Sequence, residues 1–304
     1  MAGFQNVAAW ADSASQSGRN WLGSFRKVPG VTTIAGQWFD YSTAAGSPVP
    51  NYYASSPLTA AVLDGYKGLP VGPGCSPAKK HILRWHIING AASATTTSSQ
   101  NQAMYLLDYL LYYPFIDMDA AGEDQLMDNT TVLTRYTDGQ GVRMMLVAQA
   151  ATLGSGQFTV TYTNQDGVAG RVTPTQFCAA AQPFGALVSA SGSATGVSPF
   201  ISLQAGDTGV RSVQSINFSI ANGGLASLVL VKPLMPQYSM EESRTTTTGN
   251  IESFGSVSLM EVLSMRAPTA RVYDDSYIHF IGRGTAGSLS GSQMVGILET
   301  VWSN

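Results

Sequence analysis

The segment from Asp117 to Asp128, with the sequence DMDAAGEDQLMD, has a spacing of acidic residues close to that of a calcium-binding loop. Asp117, Asp119 and Asp128 occupy the first, third and last positions of such a loop, and Gly122 lies where the loop must turn sharply. However, the fifth position is Ala121, which has no side-chain oxygen, and the last position normally carries a bidentate Glu. These aspartates are weak metal candidates, and an acidic surface loop is expected instead.

The histidines and paired carboxylates form no recognisable catalytic pattern. His81 and His86 point to opposite faces of one predicted strand, because side chains alternate along a strand. The carboxylate pairs at 241–242 and 274–275 could serve a glycosidase, but turn residues flank both pairs, which favours surface loops. The sequence has no nucleophile elbow, zinc-protease motif or phosphate-binding loop. We therefore expect no enzyme activity and no cofactor, and a polysaccharide-degrading enzyme is the least favoured alternative.

Low charge is the most informative feature of the composition. Charged residues make up 12% of the chain, against about 25% in typical globular proteins. Interface cores are depleted of charge, so this favours burial in an assembly, with a neutral extracellular coat as the alternative. The net charge is −3 and no run of Lys or Arg occurs, so direct nucleic-acid binding is not expected. Cys75 and Cys178 are too few for a disulfide framework and are expected to be free thiols.

The hydropathy of the chain predicts where the protein acts. The first residues, MAGFQ, lack the basic and apolar segments of a secretory signal, so we predict synthesis in a cytoplasm without export by that route. No stretch approaches eighteen uncharged apolar residues, so we expect no membrane-spanning segment and no membrane partner.

The N-terminal region predicts a short helix followed by an extended aromatic arm. Apolar residues from Phe4 to Ala11 recur at helical spacing, and Gly18 is expected to end the helix. The arm between residues 21 and 53 has no regular period and carries seven aromatic residues: Trp21, Phe25, Trp38, Phe39, Tyr41, Tyr52 and Tyr53. Exposing so many rings is unfavourable, so they dock either on the protein's own domain or on a neighbouring subunit. We call the second alternative, docking on a neighbouring subunit, the interface hypothesis. It predicts that a chain without residues 1–53 still forms a folded β-domain.

The remaining chain predicts many short strands. Residues 201–234 indicate three strands separated by turns at 206–209 and 222–224, with Asn-Gly favouring a hairpin. The apolar strand from Leu225 to Val231 is expected to be central and to end at Pro233. One long helix is predicted from a capping pattern at Ser99 and Gln102 up to Pro114. One or two helical turns are also expected within residues 56–66.

Further strands complete a pattern with turns about every ten residues, as in sandwiches and jelly rolls. They are predicted at residues 81–88, 132–136, 142–148, 158–163, 168–172, 256–265, 271–273, 277–281 and 294–302. The fold class is therefore mainly β: an antiparallel β-sandwich or jelly-roll-like fold, with a few helices in the N-terminal third. We divide the chain into residues 1–55, the helix and arm, and residues 56–304, a β-rich domain with a sub-boundary near residue 129 as an open alternative.

One resemblance follows from these segments. The stretch AGDTGVRSVQSINFSIANGGLASLVLVKPL, the RWHIING strand and the Gly-, Ser- and Thr-rich β-chain resemble head-associated virion proteins of tailed bacteriophages. Within that group, the chain is similar to cement, decoration and minor capsid proteins. The resemblance spans about residue 80 to the end of the chain and transfers no functional residue.

The resemblance implies a virion structural protein that binds the capsid shell and stabilises it by protein–protein contacts. The implied partners are the major capsid protein and other copies of the chain, as a closed dimer or trimer. The implied location is the virion, after synthesis in the cytoplasm of the host bacterium. The alternative is a glycan- or receptor-binding β-module of a phage tail or fibre, in which Trp38, Tyr41, Tyr52 and Tyr53 form an aromatic platform.

Overall fold

The computed structural model confirms the predicted fold class. The protein is mainly β, with antiparallel sheets that pack as a β-sandwich and one α-helix near the N-terminus. The structure describes residues 4, 6–15, 18–34, 36–90, 101–188, 198–238, 244–245, 251–252, 257–261, 270–284 and 293–303. Within these ranges, no helix is both long enough and apolar enough to cross a membrane.

The described elements begin with the predicted N-terminal helix, α1, which is confirmed at Val7–Ser15. Two 3₁₀ turns lie at Tyr41–Thr43 and Gly65–Lys67. The strands are β1 (Asn20–Val28), β2 (Trp38–Asp40), β3 (Ala45–Ser47), β4 (Ala61–Val62), β5 (Lys80–Gly90), β6 (Asn101–Asp117), β7 (Asp124–Leu126), β8 (Arg143–Ala148), β9 (Gln157–Asn164), β10 (Arg171–Val172), β11 (Gln176–Phe177), β12 (Val210–Phe218), β13 (Leu225–Tyr238), β14 (Arg244–Thr245), β15 (Ile251–Glu252), β16 (Val257–Glu261), β17 (Arg271–Val272), β18 (Tyr277–Gly284) and β19 (Gln293–Trp302).

Three sheets organise these strands. The terminal sheet has the order β16-β5-β19-β1-β3, with β17 also paired to β5. The central sheet has the order β2-β18-β6-β13-β8, with β4 also paired to β6. The five-stranded sheet has the order β10-β9-β12-β7, with β11 also paired to β9, while β14 and β15 form a separate pair.

The central sheet is buried on both faces. Ile278 and Phe280 of β18 pack against the terminal sheet in one apolar cluster. Leu228 and Leu230 of β13 pack against the five-stranded sheet in a second cluster. The alternate residues of these strands, such as Val229, belong to a third cluster on the opposite face, which loops cover. Because side chains alternate along a strand, both outer sheets lie on the same face of the central sheet.

The predicted helix ending at Pro114 is wrong, because residues 101–117 form the strand β6. This strand pairs with β13 on one edge and with β18 on the other, and most of its side chains are buried. A strand covered on both faces is apolar throughout, so its sequence has the same composition as a buried helix. Pro114 lies at a register shift in the pairing with β13, between Ala226 and Leu228, where a missing N–H is tolerated.

The strand β13 is central, as predicted, but it continues to Tyr238 past Pro233. Its pairing with β8 ends at Val231, and its pairing with β6 shifts register after Pro233, so this proline does not interrupt a regular ladder. The predicted hairpin is wrong, because β12 belongs to the five-stranded sheet and β13 to the central sheet. The turn at 222–224 therefore connects two layers of the sandwich.

Most other strand predictions are confirmed, including β5, β8, β9 and β17 to β19. Within residues 56–66, the predicted helical turns are replaced by β4 and the start of a 3₁₀ turn. The strand predicted at 132–136 is wrong, because these residues pair with none of the described strands and Tyr136 has a positive φ of 49°, outside the extended region. A register shift near Leu83 in β5 places Ile82, rather than Leu83, in the core with Trp85.

The N-terminal arm is part of the folded protein, so its prediction as a segment without regular structure is wrong. The strand β1 lies between β19 and β3 in the terminal sheet, and β2 pairs with β18 in the central sheet. Residues before and after position 55 therefore share two sheets. This pairing joins the N-terminal segment to the C-terminal strands, which no local pattern in either segment indicates.

A polar cluster around Asp207 joins the turn before β12 to β9 and β10. Its carboxylate accepts hydrogen bonds from Arg171 Nε at 2.9 Å and Nη2 at 3.1 Å, from Tyr162 Oη at 2.5 Å and from Asn164 Nδ2 at 2.8 Å. The hydrogen bond from Arg171, with those from Tyr162 and Asn164, lowers the pKa of Asp207 from 3.8 to about 2, against a smaller opposing effect of burial. The charged form of Asp207 therefore stabilises the fold.

We expect Asp207→Asn to lower the free energy of unfolding at pH 7 by roughly 1.5–3 kcal/mol, as for hydrogen bonds to a charged group. Because the pKa is lower in the folded state, this stabilisation is present above pH 3.8 and is lost as the pH falls towards 2. Urea unfolding between pH 7 and pH 2 measures both effects. The exposed Glu123→Gln is the control, and a D207N variant with the wild-type acid dependence would contradict the prediction.

Candidate functional site

A pocket of about 640 Å³ opens on the face of the central sheet that loops cover. Two loop segments, residues 49–54 and 62–67, form its sides, and Tyr112 of β6 and Tyr277 of β18 contribute aromatic rings. Its volume lies in the range of about 300–1,000 Å³ that small-molecule sites occupy. The pocket is lined by Val49, Pro50, Asn51, Tyr52, Ala54, Val62, Leu63, Asp64, Gly65, Lys67, Tyr112, Asp275 and Tyr277.

One side of the pocket is fixed by a buried cluster around Asp40. This carboxylate accepts hydrogen bonds from Tyr109 Oη at 2.7 Å, from Ser42 N and Oγ at 2.9 Å each, and from Tyr53 Oη. Burial raises the pKa of Asp40, although these hydrogen bonds oppose the shift. Because Tyr53 directly follows the lining residues Asn51 and Tyr52 in the chain, its bond to Asp40 anchors the 49–54 loop.

Lys27 and His279 are buried close to the same cluster. Lys27 Nζ donates hydrogen bonds to the carbonyl oxygens of Ala44 at 2.9 Å and Pro48 at 2.8 Å, and burial lowers its pKa to about 8. His279 is fully buried, and burial lowers its pKa well below the usual value, so its imidazole is neutral near pH 7. Asp40, Lys27 and His279 do not line the pocket, so we interpret them as structural support.

The other side of the pocket is fixed by Arg135. Its Nη2 donates to Asp108 Oδ1 and to the carbonyl oxygens of Leu63 and Tyr109, at 2.9 Å each. Its Nη1 donates to Asp275 Oδ2 at 3.3 Å. Leu63 and Asp275 both line the pocket, so a single buried guanidinium holds two of its lining segments.

The pocket carries polar groups of both signs. Asp64 and Lys67 are exposed, and the Asp275 side chain is 51% exposed. The Oδ1 atom of Asn51 accepts from Tyr53 N at 3.1 Å, whereas its Nδ2 atom is buried and has no hydrogen-bond partner among the described residues. The site therefore offers carboxylate acceptors and an ammonium donor beside the exposed ring of Tyr52, whereas the unpaired amide nitrogen of Asn51 has almost no accessible surface.

The outer face of the five-stranded sheet is a second candidate surface. In β9 the buried residues alternate with Thr159, Thr161 and Thr163, which point away from the core. Cross-strand partners on this face include Val172, which is 45% exposed and opposite Thr161, and Phe177, which is 47% exposed and opposite Gln157. The described part of this face is thus largely neutral and exposes apolar side chains.

The predicted interface aromatics fall into two groups. Five of the seven are buried in the protein's own core: Phe25, Trp38, Phe39, Tyr41 and Tyr53. They follow the alternative in which the arm docks on its own domain. Trp21 and Tyr52 are 43% and 60% exposed and remain available to a partner. Because Trp38, Tyr41 and Tyr53 are buried, the aromatic platform predicted for glycan binding does not form from those residues and Tyr52.

The weak metal candidates act as turn-stabilising acceptors. Asp117 Oδ1 accepts from Asp119 N at 2.9 Å, Asp119 Oδ1 from Gly223 N at 2.7 Å, and Asp128 Oδ1 from Thr130 N at 2.9 Å. Each carboxylate therefore satisfies a backbone N–H. Among the described residues, no three His, Cys, Asp or Glu side chains are grouped so that they could hold a metal ion.

Several pocket residues were missed by reasoning from the sequence. Tyr112 falls in the segment that was predicted as a helix, and Tyr277 was predicted only as a strand residue. Asp275 was considered as part of a carboxylate pair and assigned to a surface loop. The available signal was Arg135, an isolated basic residue in a predicted apolar segment, but its partner Asp108 lies 27 residues earlier, in the segment that was predicted as a helix.

Comparison of the chain with protein-family models, with curated proteins and with solved structures gave no match.

Proposed function

We propose that this protein is a structural component of a bacteriophage virion that binds the capsid shell and stabilises it by protein–protein contacts. Its partners in this proposal are the major capsid protein and further copies of the chain. The observation that supports the proposal best is the outer face of the five-stranded sheet, defined by Thr159, Thr161, Thr163, Val172 and Phe177. Interface cores are depleted of charge and contain aromatic residues. This face exposes Phe177 and is mainly neutral, with the charge of Asp124 on the edge strand β7, where its carboxylate accepts from Asn217 Nδ2.

The physical basis of the proposed contact is the burial of neutral surface. The free-energy cost of dehydrating a row of Thr side chains is small when a partner supplies hydrogen bonds to their hydroxyls. Burial of the apolar area of Val172 and Phe177 stabilises the contact by about 25 cal/mol per Å². Each copy contributes a modest contact energy, and the sum of these contacts over a symmetric shell stabilises the shell. A chain with 12% charged residues suits such a role.

We expect the double variant Thr161→Lys/Val172→Lys to be incorporated into particles at least about tenfold less than wild type. Two lysines on a dehydrated contact leave buried charges without partners, at a cost well above the roughly 1.4 kcal/mol that corresponds to tenfold. Quantitative mass spectrometry of purified virions measures the copy number, and thermal unfolding of the isolated variant checks its fold.

The matched control is Val295→Lys, which changes a 40% exposed residue of the terminal sheet and should be incorporated normally. Absence of the wild-type chain from purified virions would refute the proposed function. Normal incorporation of the double variant would refute the assignment of the contact to the five-stranded sheet.

A further inference from the structure

We propose that the pocket beside the central sheet binds a neutral saccharide. This inference goes beyond the proposed function and does not depend on it, because the pocket and the outer face of the five-stranded sheet involve different residues. A volume of about 640 Å³ accommodates a short oligosaccharide.

The shape of the pocket is fixed before any ligand binds. The Asp40 cluster anchors the 49–54 loop through Tyr53, and the buried Arg135 holds the carbonyl of Leu63 and the carboxylate of Asp275. Gly65 N also donates to the carbonyl oxygen of Asp275 at 3.0 Å, which joins the two lining segments directly. Preorganisation of this kind reduces the entropy lost on binding, which raises the affinity for a weakly interacting ligand.

The polar groups of the pocket match a polyhydroxylated ligand. Sugar hydroxyls both donate and accept hydrogen bonds, so they suit a site that has the exposed carboxylates of Asp64 and Asp275 as acceptors and the exposed ammonium of Lys67 as a donor.

The aromatic rings supply the apolar half of the recognition. Tyr52 is 60% exposed at the edge of the pocket and offers an accessible ring, whereas Tyr112 and Tyr277 are 7% and 2% exposed and contribute only a small part of the apolar lining. A pyranose ring has an apolar C–H face that packs on an aromatic ring, while its hydroxyls point to the sides. The two carboxylates outnumber Lys67, so an acidic sugar is disfavoured relative to a neutral one.

A glycan array that carries neutral, amino and acidic oligosaccharides tests the proposal on the full-length chain. We expect neutral glycans to bind, and calorimetric titration with the strongest of them to give a measurable Kd. Tyr52→Ala and Asp64→Ala should each raise that Kd at least about tenfold, the loss expected for about 1.4 kcal/mol. Tyr52→Ala removes the exposed ring and Asp64→Ala removes an exposed carboxylate acceptor, while Phe177→Ala on the five-stranded sheet is the control and should leave the Kd unchanged.

Choline chloride provides a competing probe, because carboxylates and aromatic rings together also suit an organic cation. Binding of choline without binding of any neutral glycan would overturn the proposal. An array without neutral glycan hits would overturn it too, as would Tyr52→Ala and Asp64→Ala variants that bind with the wild-type Kd and unfold at the wild-type temperature.

Discussion

A chain that lacks residues 1–53 is expected to show no cooperative unfolding transition. The deletion removes β1 and β3 from the terminal sheet, which leaves an edge of β19 unpaired, and removes β2 from the edge of the central sheet. It also removes five aromatic side chains that are buried in the core: Phe25, Trp38, Phe39, Tyr41 and Tyr53. Truncating one such ring costs about 3–5 kcal/mol, whereas the total stability of a domain is about 5–15 kcal/mol.

Thermal unfolding followed by circular dichroism measures this effect. The control is a chain that lacks residues 1–15, which loses only the short helix α1 and the residues before it and should retain a cooperative transition. The interface hypothesis for the N-terminal arm predicts the opposite, that a chain without residues 1–53 still forms a folded β-domain. A cooperative transition in the longer truncation would therefore support a detachable arm and contradict the role of β1 and β2 in the core.

Replacing Arg135 by Met is expected to lower the free energy of unfolding by about 3–5 kcal/mol, the usual cost of leaving a buried charge without its partner. The side chains of Arg135 and Asp108 are 1% and 0% exposed, and they form hydrogen bonds of 2.9 and 3.2 Å. Burial raises the pKa of Asp108, and the guanidinium of Arg135 opposes that shift. The variant also frees the carbonyl oxygens of Leu63 and Tyr109.

Urea unfolding of matched variants shows how much of this loss of stability comes from the burial of the ion pair. Arg84→Met breaks the ion pair with Glu299, whose side chains are 37% and 16% exposed, and should cost no more than about 1 kcal/mol. The double variant Arg135→Met/Asp108→Asn should recover part of the loss, because it removes the unpaired carboxylate. Equal losses for Arg135→Met and Arg84→Met would show that burial of the pair does not contribute.

If the saccharide proposal holds, Arg135→Met should weaken ligand binding as well as stability. This residue holds Leu63 and Asp275, which line the pocket, without lining it itself. The proposed capsid contact lies on a different sheet and should be unaffected in the folded fraction of the variant. The two proposals can therefore fail independently.

The sequence by itself determined the β class, the helix α1 and most of the strand positions. These features depend on residues that are close together in the chain. Buried and more exposed residues alternate along β9, and Asn-Gly or Asp-Gly pairs favour turns. The low fraction of charged residues, 12%, is likewise a property of the composition alone.

Only the tertiary structure decided which strands pair and which polar residues meet. The run from Met104 to Leu111 is apolar enough for a buried helix or a buried strand, and pairing with both β13 and β18 made it a strand. Arg135 and Asp108 are 27 residues apart, and Asp40 and Tyr109 are 69 residues apart. Contacts of this range depend on loop closure and on competition among all strands, so no local pattern of residues predicts the pocket that they support.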